Sequence, residues 1–498
     1  MRVRVLAKRF GIAVIVLVTL GFLVVAAENY RGRRAWDRYM AEAEARGEQL
    51  KWKAFMTSAV PDDQNFAATP LLAPLFDTRW DAATGHLIYA DSNRVNQLKS
   101  LFGWHRHLTI REPGWRASEP IDLAARQEAL RSATNSADAD LLALHAREAG
   151  DPAADLLFLL QQHHDELEEI RAAVQRPYSH IQVESYDEQL TAQMPYFAVV
   201  KSFFRAFQTK ALAELAQGNT DAAAEDVHAI MALAGTLKHE PLLISGLVRM
   251  AAFSTVFQPL WEGLARRQWT DEQLAGFEAK LKQVNMIEEM AFWLRGERVF
   301  NLGYFASRKG QVDLGNGVDS RMRNRYGRMP AGWRYQNQVE IARMYDDYVL
   351  PVLHPEVPMV DLARNFELEQ ESKTLTRTWH PYRVMAMSLL PAVQKMAPKS
   401  AQNQADVHLA RVACALERHY LAEGEYPKQL EDLAPRFLDP VPVDPVNGLS
   451  LHYRPIEGGR FVLYSVGSDL DDDGGRFPPV ERAQRGVDCD WVWGYDAR

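Results

Sequence analysis

The chain has 498 residues, with 57 lysines and arginines against 65 aspartates and glutamates, so its net charge is −8. Hydrophobic residues make up 47% and charged residues 24%, which excludes an intrinsically disordered chain. A mean hydropathy of −0.29 excludes a polytopic membrane protein, two cysteines exclude a disulfide-rich scaffold, and the acidic balance argues against a nucleic-acid-binding protein.

The N-terminus has the pattern of a membrane anchor. Basic residues precede Phe10–Ala27, an uncharged stretch of 18 residues. At about 1.5 Å per residue this helix would be about 27 Å long, enough to cross a hydrocarbon core. We therefore predict that residues 1–28 are a signal anchor of a single-pass protein in a bacterial-type inner membrane, with the bulk of the chain in the periplasm. The small residues Val25-Ala26-Ala27 leave the alternative of signal cleavage and secretion.

Two regions with different patterns follow the anchor. Residues 29–120 are predicted to contain a juxtamembrane helix and a loop-rich segment punctuated by prolines. Residues 121–398 have helical periodicity and are predicted to form a helical bundle or an irregular helical repeat. A glycine-rich basic loop, Ser307–Arg334, interrupts these helices. It is either a solvated loop without a partner, which we favour, or a contact with anionic lipid headgroups.

The last region, residues 400–498, changes character. One helix is followed by short segments of alternating pattern, two of which flank Gly458-Gly459, as is typical of a hairpin. We predict a small α+β domain in which the helix lies on an antiparallel sheet, at the end of a chain that is otherwise mainly α. From Asp406 to the C-terminus there are 10 basic and 17 acidic residues, a local balance of −7. The acidity of the whole chain is therefore concentrated here.

Short motifs in this region occur in a recognisable order. The helix ends in Gly424-Glu-Tyr-Pro427, a later strand runs into Tyr464-Ser-Val-Gly-Ser-Asp469, and Asp488-Cys-Asp-Trp-Val-Trp493 lies near the end. In this order the motifs resemble the globular domain of the major pseudopilin of type II secretion. The resemblance covers about a fifth of the chain. It implies a calcium ion that orders the C-terminal segment, bound by Asp469 and by Asp488 or Asp490.

The sequence also departs from that family. A pseudopilin carries its apolar helix directly on the globular domain, whereas here nearly 380 residues separate the two. Neither Gly11 nor Gly21 is followed by a glutamate at the fifth position, as processing by a prepilin peptidase requires. The resemblance therefore implies a pilin-type module on an anchored helical protein rather than an ordinary pseudopilus subunit.

The chemistry of the acidic loop independently favours a hard cation. Four carboxylates lie within the five residues Asp469–Asp473 and repel one another unless water or a cation solvates them. Ca²⁺ takes about six to eight oxygen ligands, so it suits such a cluster. The alternative is a solvated acidic turn. The predicted calcium ligands are Asp469, Asp471, Asp473, Asp488 and Asp490.

No strong catalytic motif is present in the sequence. The densest groups of potential metal ligands are His163-His164-Asp165 with Glu168, and His105-Arg106-His107. We interpret both groups as solvated surface, because no third ligand is implied near either. Cys414 and Cys489 are interpreted as unpaired buried thiols, with a disulfide outside the cytoplasm as the alternative.

Together these features predict a non-enzymatic envelope protein that contacts the cell membrane through Phe10–Ala27. Its role would be that of an accessory or scaffold in a type II secretion- or pilus-like assembly, with assembly proteins as partners and no small-molecule substrate implied. The alternative is an exported enzyme with an active site in the helical body. A pocket that gathers several of His163, His164, His180 and His228 with carboxylates would favour the enzyme, and a smooth surface with an exposed groove would favour the scaffold.

Overall fold

The structure is a computed structural model, and it is mainly helical with small antiparallel sheets, in agreement with the predicted fold class at this level. It describes residues 2–55, 60–81, 86–108, 114–134, 138–180, 186–306, 329–376, 380–456, 459–476 and 489–495. Most of the predicted basic loop Ser307–Arg334 lies outside these residues.

Fifteen α-helices lie in the described part of the chain. Side-chain caps at Asp91, Asp122, Asp138, Asp151 and Thr270 explain where five of them begin, because each accepts a hydrogen bond from a first-turn N–H. In chain order the α-helices are α1 (Arg2–Ala45), α2 (Ser92–Ser100), α3 (Leu123–Ser132), α4 (Ala139–His145), α5 (Pro152–Gln161), α6 (His164–Ala173), α7 (Tyr186–Ala216), α8 (Thr220–Gly235), α9 (Leu243–Ala265), α10 (Asp271–Leu281), α11 (Met286–Ala306), α12 (Ala331–Tyr348), α13 (Leu362–Thr376), α14 (Val384–Gln394) and α15 (Met396–Glu423).

Short 3₁₀ helices and strands connect these helices. The 3₁₀ helices are Trp52–Ala54, Asp62–Gln64, Phe66–Ala68, Ala73–Leu75, Gly103–His107, Trp115–Ala117, Leu350–Val352 and Leu430–Leu433. The strands are β1 (Thr78–Asp81), β2 (His86–Tyr89), β3 (Leu353–His354), β4 (Met359–Val360), β5 (His452–Ile456), β6 (Arg460–Ser465) and β7 (Trp491–Gly494). Strands β1 and β2 pair, β3 and β4 pair, and β5, β6 and β7 form an antiparallel sheet in that order.

The chain divides into two compact units, each made of several segments. One division falls between Lys395 and Met396, close to the predicted boundary near residue 400, and none falls near residue 120. The predicted segment 29–120 is split after Met56, and residues 400–498 belong to the same unit as helices α2 to α10. Unit 1 is made of Met1–Met56, Leu294–Pro351 and Ala363–Lys395, and unit 2 of Thr57–Trp293, Val352–Leu362 and Met396–Arg498.

In unit 1 the two halves of α1 have different surroundings. The apolar half is exposed along its whole length, with Phe10 and Leu17 each 73% exposed. The second half packs along α12, where Tyr39 and Ala43 are buried. Gly32 permits this close packing, because an added Cβ there would overlap the carbonyl oxygen of Gly332. Helix α1 therefore runs without interruption from an exposed apolar segment into a packed one.

A cluster of charged side chains stabilises the far end of this contact. Arg298 is 1% exposed and donates to Asp346 and, at 2.6 Å, to Glu48. Arg46 also pairs with Glu48 at 2.5 Å, and the Tyr39 hydroxyl donates to Asp346 at 2.8 Å. We call these five residues the ion cluster of unit 1. It joins α1, α11 and α12 and the turn after α1.

In unit 2 the last helix is not separate from the helical body. Of the residues from Ser400 to Glu417 in α15, all but Gln402 are buried, so every face of this part of the helix is covered. One side contacts β6 and β7, where Phe461 and Trp493 have no exposed surface, and other sides contact α9 and α10. Because the helix buries surface against both the sheet and the body, residues 400–498 fold as part of unit 2.

Candidate functional site

The predicted calcium ligands lie in the loop after β6 and in the residues before β7. Asp469 accepts a hydrogen bond from the backbone N–H of Asp471 at 3.3 Å, and the Asp471 carboxylate is exposed. Asp473 is exposed as well, whereas Asp488 lies outside the described residues. Asp471 and Asp473 therefore lie in the outer, solvated part of the loop, and Asp469 is half-buried.

Asp472, which was not among the predicted ligands, organises the turn of the loop. Its carboxylate accepts hydrogen bonds from the Gly474 N–H at 2.9 Å and from the Tyr464 hydroxyl at 3.0 Å. The Nδ1 atom of His452 lies 3.5 Å from its other oxygen. The hydrogen bond from Gly474 is the largest of the effects that lower the pKa of Asp472. Asp472 therefore stays ionised and fixes the loop to the sheet.

Asp490 is the buried carboxylate of the site. It is 1% exposed, and its Oδ2 accepts a hydrogen bond from the Gly475 N–H at 2.7 Å. Its Oδ1 is buried without a hydrogen-bond partner among the described residues. Burial raises the pKa of Asp490. Hydrogen bonding to the backbone of Gly475 and Asp473 opposes this effect, and the charges of Asp472 and Asp473 add to it, so the pKa remains raised. A buried carboxylate that is influenced by two other negative charges is suited to a cation.

The position of Asp490 depends on a glycine. Gly475 has a φ of +64°, and an added Cβ would overlap the ring of Tyr464. Only glycine allows the backbone to approach this ring and direct its N–H at Asp490. The loop and β7 are therefore held together by this backbone-to-carboxylate contact.

The carboxylates that the structure describes do not form a complete metal site. Within the described ranges, no three histidine, cysteine, aspartate or glutamate side chains form a group that could hold a metal ion. The structure brings Asp490 near Asp472 and Asp473, whereas Asp469 contacts the backbone of Asp471. No disulfide joins Cys414, which is buried, to Cys489, which is half-buried.

A second buried aspartate lies beneath this loop and has a different environment. Asp444 has no exposed surface and accepts hydrogen bonds from the Val446 N–H at 3.1 Å, the Val466 N–H at 3.1 Å and the Ser465 hydroxyl at 2.9 Å. These bonds fasten the proline-rich connection to the end of β6. Its position between Val443 and Pro445, where aspartate often closes a turn onto the backbone, was the only local signal for this role.

The interpretation of the histidines as solvated surface is wrong for two of them. His163 is mostly buried and lies 2.7 Å from Asp140, whose hydrogen bond and charge outweigh burial and raise the pKa of His163. His105 stacks on Trp104, and burial lowers its pKa to about 3. His164 and Glu168 are exposed, as expected.

The histidines named as candidate enzyme residues do not converge. His180 and His239 line a cavity of about 510 Å³ in unit 2, together with Tyr178 and Thr236. His228 instead contacts Phe277. Of His163, His164, His180 and His228, His180 alone lines this cavity.

Comparison with known proteins finds no match: no family model, no curated protein and no solved structure is similar to this chain. The function therefore has to be argued from the chain itself.

Proposed function

We propose that this is a non-enzymatic envelope protein, anchored by α1, whose C-terminal region binds calcium. It would serve as an accessory or scaffold of a type II secretion- or pilus-like assembly. The observation that carries the proposal is the division of α1 into an exposed apolar half and a packed half.

The anchor is supported by where the exposed half of α1 ends. Two described helices, α1 and α9, are long and apolar enough to cross a membrane by length and composition. In α9 67% of the apolar window is buried, as in the core of a folded protein, whereas none of the window in α1 is. The contacts of α1 with the other segments of unit 1 begin directly after Ala27, at Glu28 and Asn29. A helix that is exposed up to Ala27 and packed from Glu28 onward suits an anchor that is not cleaved.

A scaffold role is supported by the way the C-terminal sheet is fastened to α9. Trp261 donates to the carbonyl oxygen of Gly494 at 3.0 Å, and Arg460 donates to that of Ala265 at 2.6 Å. Arg267 donates to Gly459 O and lies over the ring of Tyr420, 3.9 Å from its centroid. A module held in this way suits a fixed platform better than a subunit that polymerises.

Calcium binding is supported by the unpartnered oxygen of Asp490. A buried carboxylate oxygen without a donor costs free energy of about 1–3 kcal/mol, and a cation would remove that cost. Asp472 and Asp473 supply further oxygens nearby, and Ca²⁺ is the hard cation that such oxygens bind. In this proposal Asp469, Asp471 and Asp488 complete the set as ligands or as an outer negative shell.

Membrane extraction tests the anchor. The full-length protein is expected to stay with membranes washed in alkaline carbonate, and Leu17→Lys should release most of it, because lysine at a helix centre costs about 2.5–3.5 kcal/mol. Phe366→Lys, on an exposed residue of α13, is the matched control and should leave the protein in the pellet. Release of the wild-type protein by the wash would remove the basis of the proposal.

Calorimetric titration of the detergent-solubilised full chain tests the cation. We expect Ca²⁺ to bind the wild-type protein and not Asp490→Asn, which keeps an acceptor for Gly475 but loses the charge. Asp165→Asn, in an exposed carboxylate of α6, should bind as the wild type does. Equal binding by both variants would remove Asp490 from the site.

Co-purification without any secretion or pilus component would argue against the assembly role.

The competing function, an exported enzyme, has the cavity of unit 2 in its favour. Burial lowers the pKa of both His180 and His239, so both imidazoles are neutral at pH 7 and able to accept a proton. If the cavity binds a substrate, native mass spectrometry of the purified chain should detect a bound small molecule. The double substitution His180→Ala, His239→Ala should then abolish its retention.

A further inference from the structure

Beyond the membrane-spanning segment, unit 1 has a second surface that suits lipid. We propose that residues 28–34, the first turn of α12 and residues 380–383 form an interfacial collar, which lies among the headgroups of an anionic bilayer. This inference rests on the proposed anchoring, because the anchor sets the depth of the collar.

The contacts of α1 set that depth. If Phe10–Ala27 fills the hydrocarbon core, then the residues that follow lie at the level of the headgroups. At this level Asn29 accepts a hydrogen bond from the Gly332 N–H at 2.6 Å, and Glu28 accepts one from the Tyr382 hydroxyl at 2.5 Å. The two other segments of the collar are therefore held at the same depth as the start of the packed half of α1.

The direction of α12 agrees with this placement. Helix α12 contacts α1 near its own start through Gly332, and near its end through Asp346, which bonds Tyr39 and Arg46. The two helices therefore run parallel, and α12 leads away from the membrane. At about 1.5 Å per residue, Asp346 lies about 20 Å further out than Gly332.

The side chains of the collar have the chemistry of a membrane interface. Trp333 and Tyr382 pack edge to face with their centroids 6.4 Å apart, and Tyr30 is 67% exposed. Tryptophan and tyrosine are enriched at headgroup level, because each combines an apolar ring with a polar atom.

The collar is also basic. Arg31 and Arg33 have exposed side chains, and each is close to a single carboxylate, Glu28 for Arg31 and Asp37 for Arg33, the second at 3.9 Å. Arg34 is exposed too, and Arg383 pairs with Glu340 at 2.9 Å. Basic residues near a membrane are attracted to an anionic surface.

Depth-dependent quenching of the full chain in nanodiscs tests the collar. A fluorescent label is attached at one introduced cysteine in a Cys489→Ser background, since Cys414 is buried. His380→Cys places the label in the collar, and Asp347→Cys places it on the far end of α12. Both native residues are exposed, and the second site is about 20 Å further out. Lipids with a nitroxide near the headgroup should quench the label at 380 at least threefold more strongly than the label at 347.

A third label separates this inference from the proposed anchoring. Leu17→Cys reports on the apolar half of α1, and lipids with a nitroxide deep in the acyl chain should quench it. If the label at 17 is quenched while the labels at 380 and 347 are quenched equally and weakly, the collar is ruled out and the proposed anchoring stands. No quenching at 17 or at 380 would overturn both. In neutral nanodiscs the quenching at 380 should fall, because the arginines lose their anionic partners.

Discussion

The ion cluster of unit 1 and the acidic loop of unit 2 shift the pKa of a carboxylate in opposite directions. In the cluster, hydrogen bonds and charges from Arg46 and Arg298 outweigh burial and lower the pKa of Glu48. In the loop, burial and neighbouring carboxylates raise the pKa of Asp490. In the first region, arginines pair with the acids, whereas in the second no described arginine or lysine pairs with the buried carboxylate of Asp490. The difference points to the loop as the place where an external ion would act.

The largest expected effect comes from removing the cation that balances the cluster. Arg298→Met should lower the free energy of unfolding of unit 1 by about 3–5 kcal/mol, because Glu48 and Asp346 lose a buried partner. The shift of the urea midpoint measures this effect. Arg364→Met, which breaks an exposed pair with Glu367, is the control and should move the midpoint little. A small shift for Arg298→Met would mean that water already balances the cluster.

Asp444 tests whether a buried carboxylate in unit 2 can be satisfied by hydrogen bonds alone. Asp444→Ala should cost about 3 kcal/mol, because two backbone N–H groups and the Ser465 hydroxyl lose their acceptor in a buried site. Urea unfolding measures this change as well, with the exposed Asp439→Ala as the control. If the two variants unfold at the same midpoint, water replaces the carboxylate and the site is less enclosed than its burial indicates.

His408 adds a buried group that is neutral rather than paired. Its Nδ1 lies 2.8 Å from the carbonyl oxygen of Val443, and its Nε2 lies 2.8 Å from Nε2 of Gln404, so Nδ1 carries the proton and Nε2 accepts one. Burial lowers its pKa to about 4. Because the pKa in the folded state is below that in the unfolded state, its contribution to stability is present above pH 6.5 and is lost as the pH falls toward 4.

Measurement of unfolding against pH tests this contribution. Between pH 7 and pH 5 the wild-type protein should lose about 2 kcal/mol that a His408→Gln variant does not lose, since a shift of one pKa unit corresponds to about 1.4 kcal/mol. Asp406, whose pKa burial raises to about 6, acts in the opposite direction in both proteins and cancels in the comparison. If the free energies of unfolding of the two proteins change in parallel with pH, the imidazole of His408 is protonated in the folded protein at pH 5.

The parts of this structure that were predictable from the sequence have local signals. Phe10–Ala27 and the helical body follow from hydropathy and periodicity, and the antiparallel strands from alternation around Gly458-Gly459. The site was predicted only in outline. Asp490 carries the buried oxygen because β7 pairs with β6, and Asp472 turns toward Tyr464 through the same sheet. These roles depend on tertiary contacts that residue spacing does not encode.

The unit boundaries were not predictable for the same reason. Glu48, Arg298 and Asp346 meet although about 250 residues separate the first from the second. The helix α15 has the pattern of a domain's first helix, yet its residues from Ser400 to Glu417 are covered on every face, since α9 and α10 contact the helix as well as the sheet. Apolar periodicity identifies which residues are buried, but it does not identify what buries them.

The smallest expected effect is the difference in stability between Asp490→Asn and the wild type. It bears most directly on the comparison of the two regions, because Ca²⁺ should reverse its sign. In EDTA at pH 7, Asp490→Asn should be slightly more stable than the wild type, by about 0.5 kcal/mol. The amide keeps an acceptor for Gly475 and has no charge to bury among Asp472 and Asp473. With Ca²⁺ at ten times its dissociation constant, the wild type should gain about 1.4 kcal/mol and the variant nothing. Thermal unfolding of both proteins in both buffers measures the crossing. Arg298→Met should show the same calcium response as the wild type, because the substitution leaves the carboxylates of the acidic loop unchanged. The opposite result would be a wild type that is more stable than Asp490→Asn in EDTA and whose stability does not change with Ca²⁺. It would mean that the loop, like the ion cluster, needs no external cation.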